Sequence, residues 1–271
     1  MEEKYRHLVT DGYNFNMSQY ISEGWELFKK GAGSLIGFVL VYFIIYFVIA
    51  FIPFVNLLAG FVAQALIAGI FIFLRQQQRQ KEEFGDFFGG FKYFGNIVAY
   101  VLLLLLIMLP IYALLFGALI PFELITEFAN PNPSEIEYLM EDLAVSFAAR
   151  VPIVLLVIAL FVYVGVSYSL ALPLIVDDNL GPWKAMETSR RIVSKRFFPF
   201  LGLYFVVGFV GILATMLTCG LGMLLVFPVV YCIVFAAYDS ILQPHANDVT
   251  NQIDEFGEGD NDANTEAEEN Q

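Results

Sequence analysis

The residues of this chain that could do chemistry are few, and their spacing works against most reactions. His7 and His245 are the two histidines, and they stand in opposite polar ends, neither with a second ligand at metal-site spacing. Cys219 and Cys232 fall in one long apolar run. On a helix they sit about 20 Å apart, beyond the reach of a disulfide. Asp177 and Asp178 form an adjacent carboxylate pair that suggests general acid–base work. Neighbouring helical residues diverge by about 100°, however, so the two carboxylates do not converge on one bond. With Asp239 and Arg75 they read better as charges that close apolar helices. Acids at a helix C-terminus oppose the macrodipole, so each is expected to find a cation among the basic residues of flanking interfacial helices. No phosphate-binding loop, dinucleotide fingerprint or nucleophile elbow is present. The expectation is a protein with no catalytic residue, no cofactor and no metal.

A second group of polar residues lies inside the apolar runs. Gln64 stands alone, and Ser167, Tyr168 and Ser169 form a cluster beside Gly165. Such residues either tie helices together by hydrogen bonds or contact a substrate, and the first use is the commoner one. Acids and bases, which mark proton and ion paths through membranes, are absent from the same runs. Proton- or ion-coupled transport is therefore not expected. Gly33/Gly37 and Ala65/Gly69 have the small-xxx-small spacing that lets helices approach closely.

The elements that must position these residues follow from composition. Of 271 residues, 58% are hydrophobic and 15% charged, against about 25% charged in soluble domains. Charged residues and histidine are missing from Gly33 to Leu74, Phe94 to Phe122, Val151 to Val176 and Phe197 to Tyr238. A crossing takes about 20 residues, so the first and last runs hold two crossings each and the middle two hold one each. The fold class is an all-α polytopic membrane bundle with six transmembrane helices, at about 33–52, 54–74, 95–120, 151–176, 197–217 and 220–241. A polar segment, 1–16, precedes the bundle. The tail, 243–271, holds nine acids and no base and is too poor in apolar residues to fold. No cleavable leader is expected, since no short apolar stretch with a cleavage site opens the chain.

Basic residues stay on the cytoplasmic side of crossings. With six crossings, thirteen of the 14 Lys and Arg collect on one side and Arg150 alone on the other. Both termini are thus expected in the cytoplasm. On the outer side, the loop Pro121–Arg150 carries the breaker "NPNPS" and a Ser134/Glu137 capping box. Ile136, Met140, Leu143 and Phe147 then predict a short helix over the outer face of the bundle.

A unit repeats three times. A short amphipathic segment ends in basic residues and runs into an apolar hairpin. The first is "MSQYISEGWELFKK", with Ile21, Trp25 and Phe28 on one face and Asn16 or Ser18 as its cap. The second, "EFGDFFGGFKYFG", contributes Phe84, Phe87, Phe88 and Phe91. The third, "GPWKAMETSRRIVSK", begins with a proline suited to a first helical turn and puts Trp183, Met186, Arg190 and Val193 on a stripe. Trp25, Lys29, Lys30, Lys92, Trp183, Lys184, Arg190, Arg191, Lys195 and Arg196 are accordingly read as interfacial and topological residues. Nucleic-acid binding is not expected of a chain with net charge −13.

"GPWKAMETSRRIVSKRFFPFLGLYFVVGFVGIL" and "GMLLVFPVVYCIVFAAYDSI", with the two earlier unit openings, resemble a broad bacterial integral-membrane family. It includes the membrane domain attached to some glycerophosphodiester phosphodiesterases. The resemblance spans roughly 17–242 and implies a bacterial cytoplasmic-membrane protein. Hydrolase activity is not carried over, because an acidic tail rather than a phosphodiesterase domain follows. The leading functional expectation is a non-enzymatic bundle that organises membrane lipids, partner proteins or copies of itself. The alternative is a transporter or channel for a small or amphipathic molecule. A polar path from Gln64 to Ser167–Ser169 would favour the alternative, and a closed apolar bundle with lipid-facing grooves the first.

Overall fold

Inside a bilayer the backbone must satisfy its own hydrogen bonds, which leaves a single apolar segment little but the helix. The computed structural model obeys this along its length. It describes residues 5–10, 12–52, 58–119 and 136–242, with no strand among them. The described elements are α1 (Arg6–Thr10), α2 (Met17–Ala50), α3 (Ala59–Gln78), a 3-10 segment (Phe84–Tyr93), α4 (Phe94–Leu119), α5 (Ile136–Ser167), α6 (Ala171–Val176), α7 (Pro182–Lys195), α8 (Phe197–Leu217) and α9 (Met223–Leu242). Six spans are long and apolar enough to cross a membrane: Met17–Ile49, Ala59–Gln78, Phe84–Gly117, Arg150–Val176, Phe197–Leu217 and Met223–Leu242. The chain is an all-α, multi-pass membrane protein. The turn at Pro53–Asn56, the NPNPS breaker with Ser134, His245 and the 243–271 tail lie outside the described residues, as do the side chains of His7 and of 136–149.

Local chemistry sets the element boundaries. Asn16 caps α2, its Oδ1 accepting from the Gln19 amide at 3.2 Å. The helix then runs 34 residues and leaves helical geometry once, at Gly31 (φ −109°, ψ 16°). The first interfacial segment and the first crossing are thus one helix with a glycine kink. The second segment is not an α-helix: its glycines favour a tighter 3-10 path, capped by Glu83 and Asp86. The third, α7, starts on Pro182 as its composition predicts. The fourth crossing breaks between α5 and α6, where Pro173 has no amide to give Ser169 and its ring crowds that carbonyl. Residues 136–149 do not form a separate helix; they are the first turns of a continuous 32-residue α5. Pro152, which follows them, lies inside the same helix.

The body of the molecule is α2, α3 and α9. In α3 the buried residues run from Ala65 through Arg75, and 67% of its most apolar window is buried, against 17% for α8. Backbones meet closely at glycines. A Cβ on Gly24 would lie 2.6 Å from the Ile233 Cα, which brings α2 against α9. A Cβ on Gly69 would lie 1.7 Å from the Phe87 carbonyl oxygen, and one on Gly90 1.9 Å from that of Ala65. The Ala65/Gly69 pair therefore receives the 3-10 segment. Gly33 and Gly37 meet nothing closer than 3.9 Å and bring no pair of helices together among the described residues. Phe87 lies between Phe38 and Phe73, with both centroid distances 4.2 Å and the rings nearly parallel. A second, small core of Met108, Ile111, Val157 and Val164 holds α4 to α5.

Large apolar side chains elsewhere face outward, among them Phe47, Leu109, Phe205 and Leu217. Water would penalise such a surface heavily, whereas lipid does not.

Candidate functional site

The ends of α3, α6 and α9 meet at one end of the bundle, called here the basic end. Arg75, 8% exposed, is the residue they meet on. Its Nε and Nη2 reach Asp177 at 3.0 and 2.7 Å, a forked contact, and its Nη1 reaches Asp239 and the Gln78 amide oxygen, each at 2.6 Å. Gln78 donates back to Asp239 at 2.7 Å, and the Tyr238 hydroxyl faces Asp177 at 3.0 Å and Asp178 at 2.8 Å. The guanidinium also stands 4.8 Å over the Phe235 ring. The second, fourth and sixth crossings are thus tied by one cation. The partner differs from the one expected. Arg75 takes Asp177 and Asp239, while the interfacial Arg190 and Arg191 both turn to Glu187 within α7, at 3.0 and 2.5 Å. Arg75 has the shorter route, since it projects from the last turn of α3 straight between the other two helix ends. Asp177 and Asp178 are engaged in this network, an arrangement that anchors helices rather than activating a nucleophile.

Deeper in the bundle is a cleft of about 520 Å³. It joins Gln64, from the far-end half of α3, to Tyr168 and Ser169 at the break in the fourth crossing. Tyr100 of α4, Tyr204 of α8 and Tyr231 of α9 add their rings. Five crossings contribute to its wall; α2 does not. Ser169 bonds its own helix, donating to the Val166 carbonyl at 2.8 Å. No protein hydrogen bond engages the Tyr100, Tyr168 or Tyr231 hydroxyls among the described residues. Ser167 is set behind the wall, fully buried, and its Oγ has no partner. Three of the four polar residues picked from the sequence therefore share the cleft, and the fourth adjoins it.

The break itself is held by a residue that sequence reasoning passed over. Ser189 of α7 is fully buried, donates to the Ser167 carbonyl at 2.7 Å and accepts from the Leu170 amide at 3.2 Å. A serine at an apolar position of an otherwise basic helix was the available signal. Phe71 matters for a different reason. Its ring lines this cleft and also a second cavity of about 410 Å³ at the basic end, so it forms part of the partition between them.

The interfacial residues are placed as follows. Phe28 is buried while Trp25 is 48% exposed, their rings 5.4 Å apart. Lys29 pairs with Glu26 at 2.7 Å, and Lys30, Lys92, Lys184, Lys195 and Arg196 are exposed. On α7 the buried face is Ala185, Met186, Ser189, Ile192 and Val193. Trp183 departs from the expected stripe and is 62% exposed. In the 3-10 segment Phe87 alone of the four phenylalanines is buried. Of the N-terminal segment read as polar, Tyr5 and Leu8 are buried and the Tyr13 hydroxyl donates to the Ile192 carbonyl at 3.0 Å. Burial pushes the Tyr13 hydroxyl pKa upward, so it remains a donor at any physiological pH. Cys219 is exposed in the left-handed position (φ +51°) that ends α8, and Cys232 is buried in α9. Comparisons with protein-family models, with curated proteins and with solved structures find no match.

Proposed function

We propose that the chain binds an uncharged amphipathic molecule within its helix bundle and passes it through the membrane, acting as a transporter or channel that is not proton-coupled. The observation that carries this reading is the cleft that unites Gln64 with Tyr168 and Ser169. Its tyrosine rings offer apolar faces and its free hydroxyls offer hydrogen bonds, the combination that suits a molecule apolar along most of its length and polar at one point. The absence of charge from its wall matches an uncharged ligand. Orientation belongs to the same proposal: the basic end faces the bacterial cytoplasm, and the exposed tryptophans and cations of the interfacial segments lie among headgroups. Membrane lipids are the surrounding partners, and no nucleic acid is involved.

A second reading, a non-enzymatic organiser of lipids, is favoured by a different feature. An apolar groove of about 370 Å³ runs from Ile21 and Trp25 along the seam of α8 and α9 to Ala214 and Leu225. A lipid chain fits such a seam without any passage through the bundle. The two readings part on one substitution. Gly165 lines the cleft and its Cβ position faces open space, so Gly165→Phe fills the cleft without a backbone clash. The protein is purified in native-lipid particles and the bound small molecules are identified by mass spectrometry. A species lost from G165F, with folding retained, supports the first reading. Unchanged ligands in that variant, with loss on Val210→Trp in the groove, would favour the second.

A further inference from the structure

The cavity of about 410 Å³ at the basic end is independent of the cleft proposal. It opens between the last turn of α3, the 3-10 segment and the end of α6. Three cations line it: Arg75, Arg79 and Lys92. The two acids on its wall are already engaged. Asp177 holds Arg75 at 2.7 Å, and Asp86 caps the 3-10 segment by accepting from the Glu83 amide at 2.9 Å. Arg79 and Lys92 are exposed and make no salt bridge among the described residues. They come from different elements and stand at one cavity, where an anion could meet both. Arg75 has five N–H donors, of which the Asp177, Asp239 and Gln78 contacts occupy four, so one remains.

The rest of the wall says what kind of anion. Phe71, Ile72, Phe88 and Val176 add apolar surface to a wall that is otherwise polar. Gly85 leaves room at the wall, its Cβ position meeting nothing within 4 Å. Phe84, Phe88 and Phe91 are each more than a third exposed beside it, which sets the segment where chain and headgroup meet. We infer that this cavity binds one anionic phospholipid, its phosphate between Arg79 and Lys92 and the upper part of a chain against Phe88 and Ile72.

The test is native mass spectrometry of the delipidated full chain in detergent, titrated with phosphatidylglycerol, with phosphatidylcholine, or with inorganic phosphate or glycerol 3-phosphate. The expected result is one tightly held phosphatidylglycerol. Its affinity falls at least tenfold in Arg79→Gln/Lys92→Gln and also in Gly85→Leu, which keeps both charges and fills the space. Lys184→Gln/Lys195→Gln, which removes the same charge from exposed positions at the same end, should change it less than twofold. These sites are solvent-facing, so the variants should fold, and thermal unfolding checks that each does. An equal loss in the Lys184/Lys195 variant would mean diffuse surface attraction and overturn the assignment. Retention by G85L would remove the cavity from it. Protection by inorganic phosphate or glycerol 3-phosphate at concentrations where phosphatidylglycerol gives none would replace the lipid with a soluble phosphate.

Discussion

The α2–α3–α9 body and the α4–α5 hairpin are both built from membrane-spanning helices, α3 and α9 being the less apolar, yet they are held in different ways. In the body, glycines bring backbones together, Phe38, Phe87 and Phe73 stack, and Arg75 ties three helix ends. The hairpin's own core is four buried residues, and no interhelical hydrogen bond joins its described ones. It joins the rest through Ile97, Tyr100 and Val166, which enter the main core, through the Ser189 staple and through the Asp177 contact that follows α6. Within lipid, apolar burial alone does not drive helices together, so packing and polar contacts decide which pairs are firm. The body has both kinds of contact and the hairpin has little of either. The cleft lies on the boundary between them, where a ligand would find one rigid wall and one that can shift.

That contrast can be broken most severely at the glycines. Gly69→Leu or Gly90→Leu puts a side chain where a carbonyl already stands, 1.7 or 1.9 Å from the first added atom. The cost exceeds the about 1–3 kcal/mol of ordinary overpacking, and no folded monomer is expected in size-exclusion profiles. Gly117→Leu in the hairpin, where nothing lies within 4 Å, should leave the profile unchanged. If the hairpin variant were the worse of the two, the body would not be the rigid part.

Next in size is the ion network. Arg75→Met strips the cation from Asp177 and Asp239, whose side chains are both 13% exposed. Breaking a buried pair on one side costs about 3–5 kcal/mol, read as a drop in detergent melting temperature. Arg75→Lys keeps the charge but loses the fork, so its loss should be smaller. Ser189→Ala comes third. It deprives the Leu170 amide and Ser167 carbonyl of a buried partner, at about 1–3 kcal/mol. Hydrogen exchange should rise at 167–171 and leave α3 and α9 unaffected. A rise spread equally over α9 would show that hairpin and body open together.

Much of this was legible beforehand, for a physical reason. A bilayer imposes helix and length on an apolar run, so the six crossings follow from counting. Asn16, one of two candidate caps, and Pro182 at the start of α7 followed from local chemistry, whereas the meeting of Gln64 with Tyr168 and Ser169 stood only as the observation that would favour transport. What escaped depends on which helices become neighbours. Gly69 and Gly33 each belong to a small-xxx-small pair, yet Gly69 is used and Gly33 is not, while Gly24, outside any such pair, is used. Arg75 was recognised as a helix-end charge, but its pairing with Asp177 and Asp239 requires α3, α6 and α9 to end together. Ser189 looked like filler on a basic helix, because its partners belong to a break 19 and 22 residues earlier.

The smallest effect belongs to Glu187, and its smallness sharpens the comparison. Its carboxylate accepts from Arg190 and Arg191, all three within α7, so the pairs join neither region to the other. The Arg190 hydrogen bond, with help from Arg191, holds its pKa below the ordinary glutamate value against a modest opposing effect of burial. A lowered folded-state pKa stabilises above the unfolded value, near 4.3, and that gain is lost as pH falls through the folded value. Melting temperatures of wild type and Glu187→Gln should therefore differ slightly and constantly from neutrality to about pH 5, then converge below the ordinary glutamate range. With side chains 29–46% exposed, the plateau should be about 0.2–1 kcal/mol, and 0.5 M salt should shrink it. Ser189→Ala, by contrast, should show the same loss across this pH range. A Glu187 effect as large as that of Arg75→Met would mean that α7 couples the two regions through charge, and that the hairpin is not the looser partner.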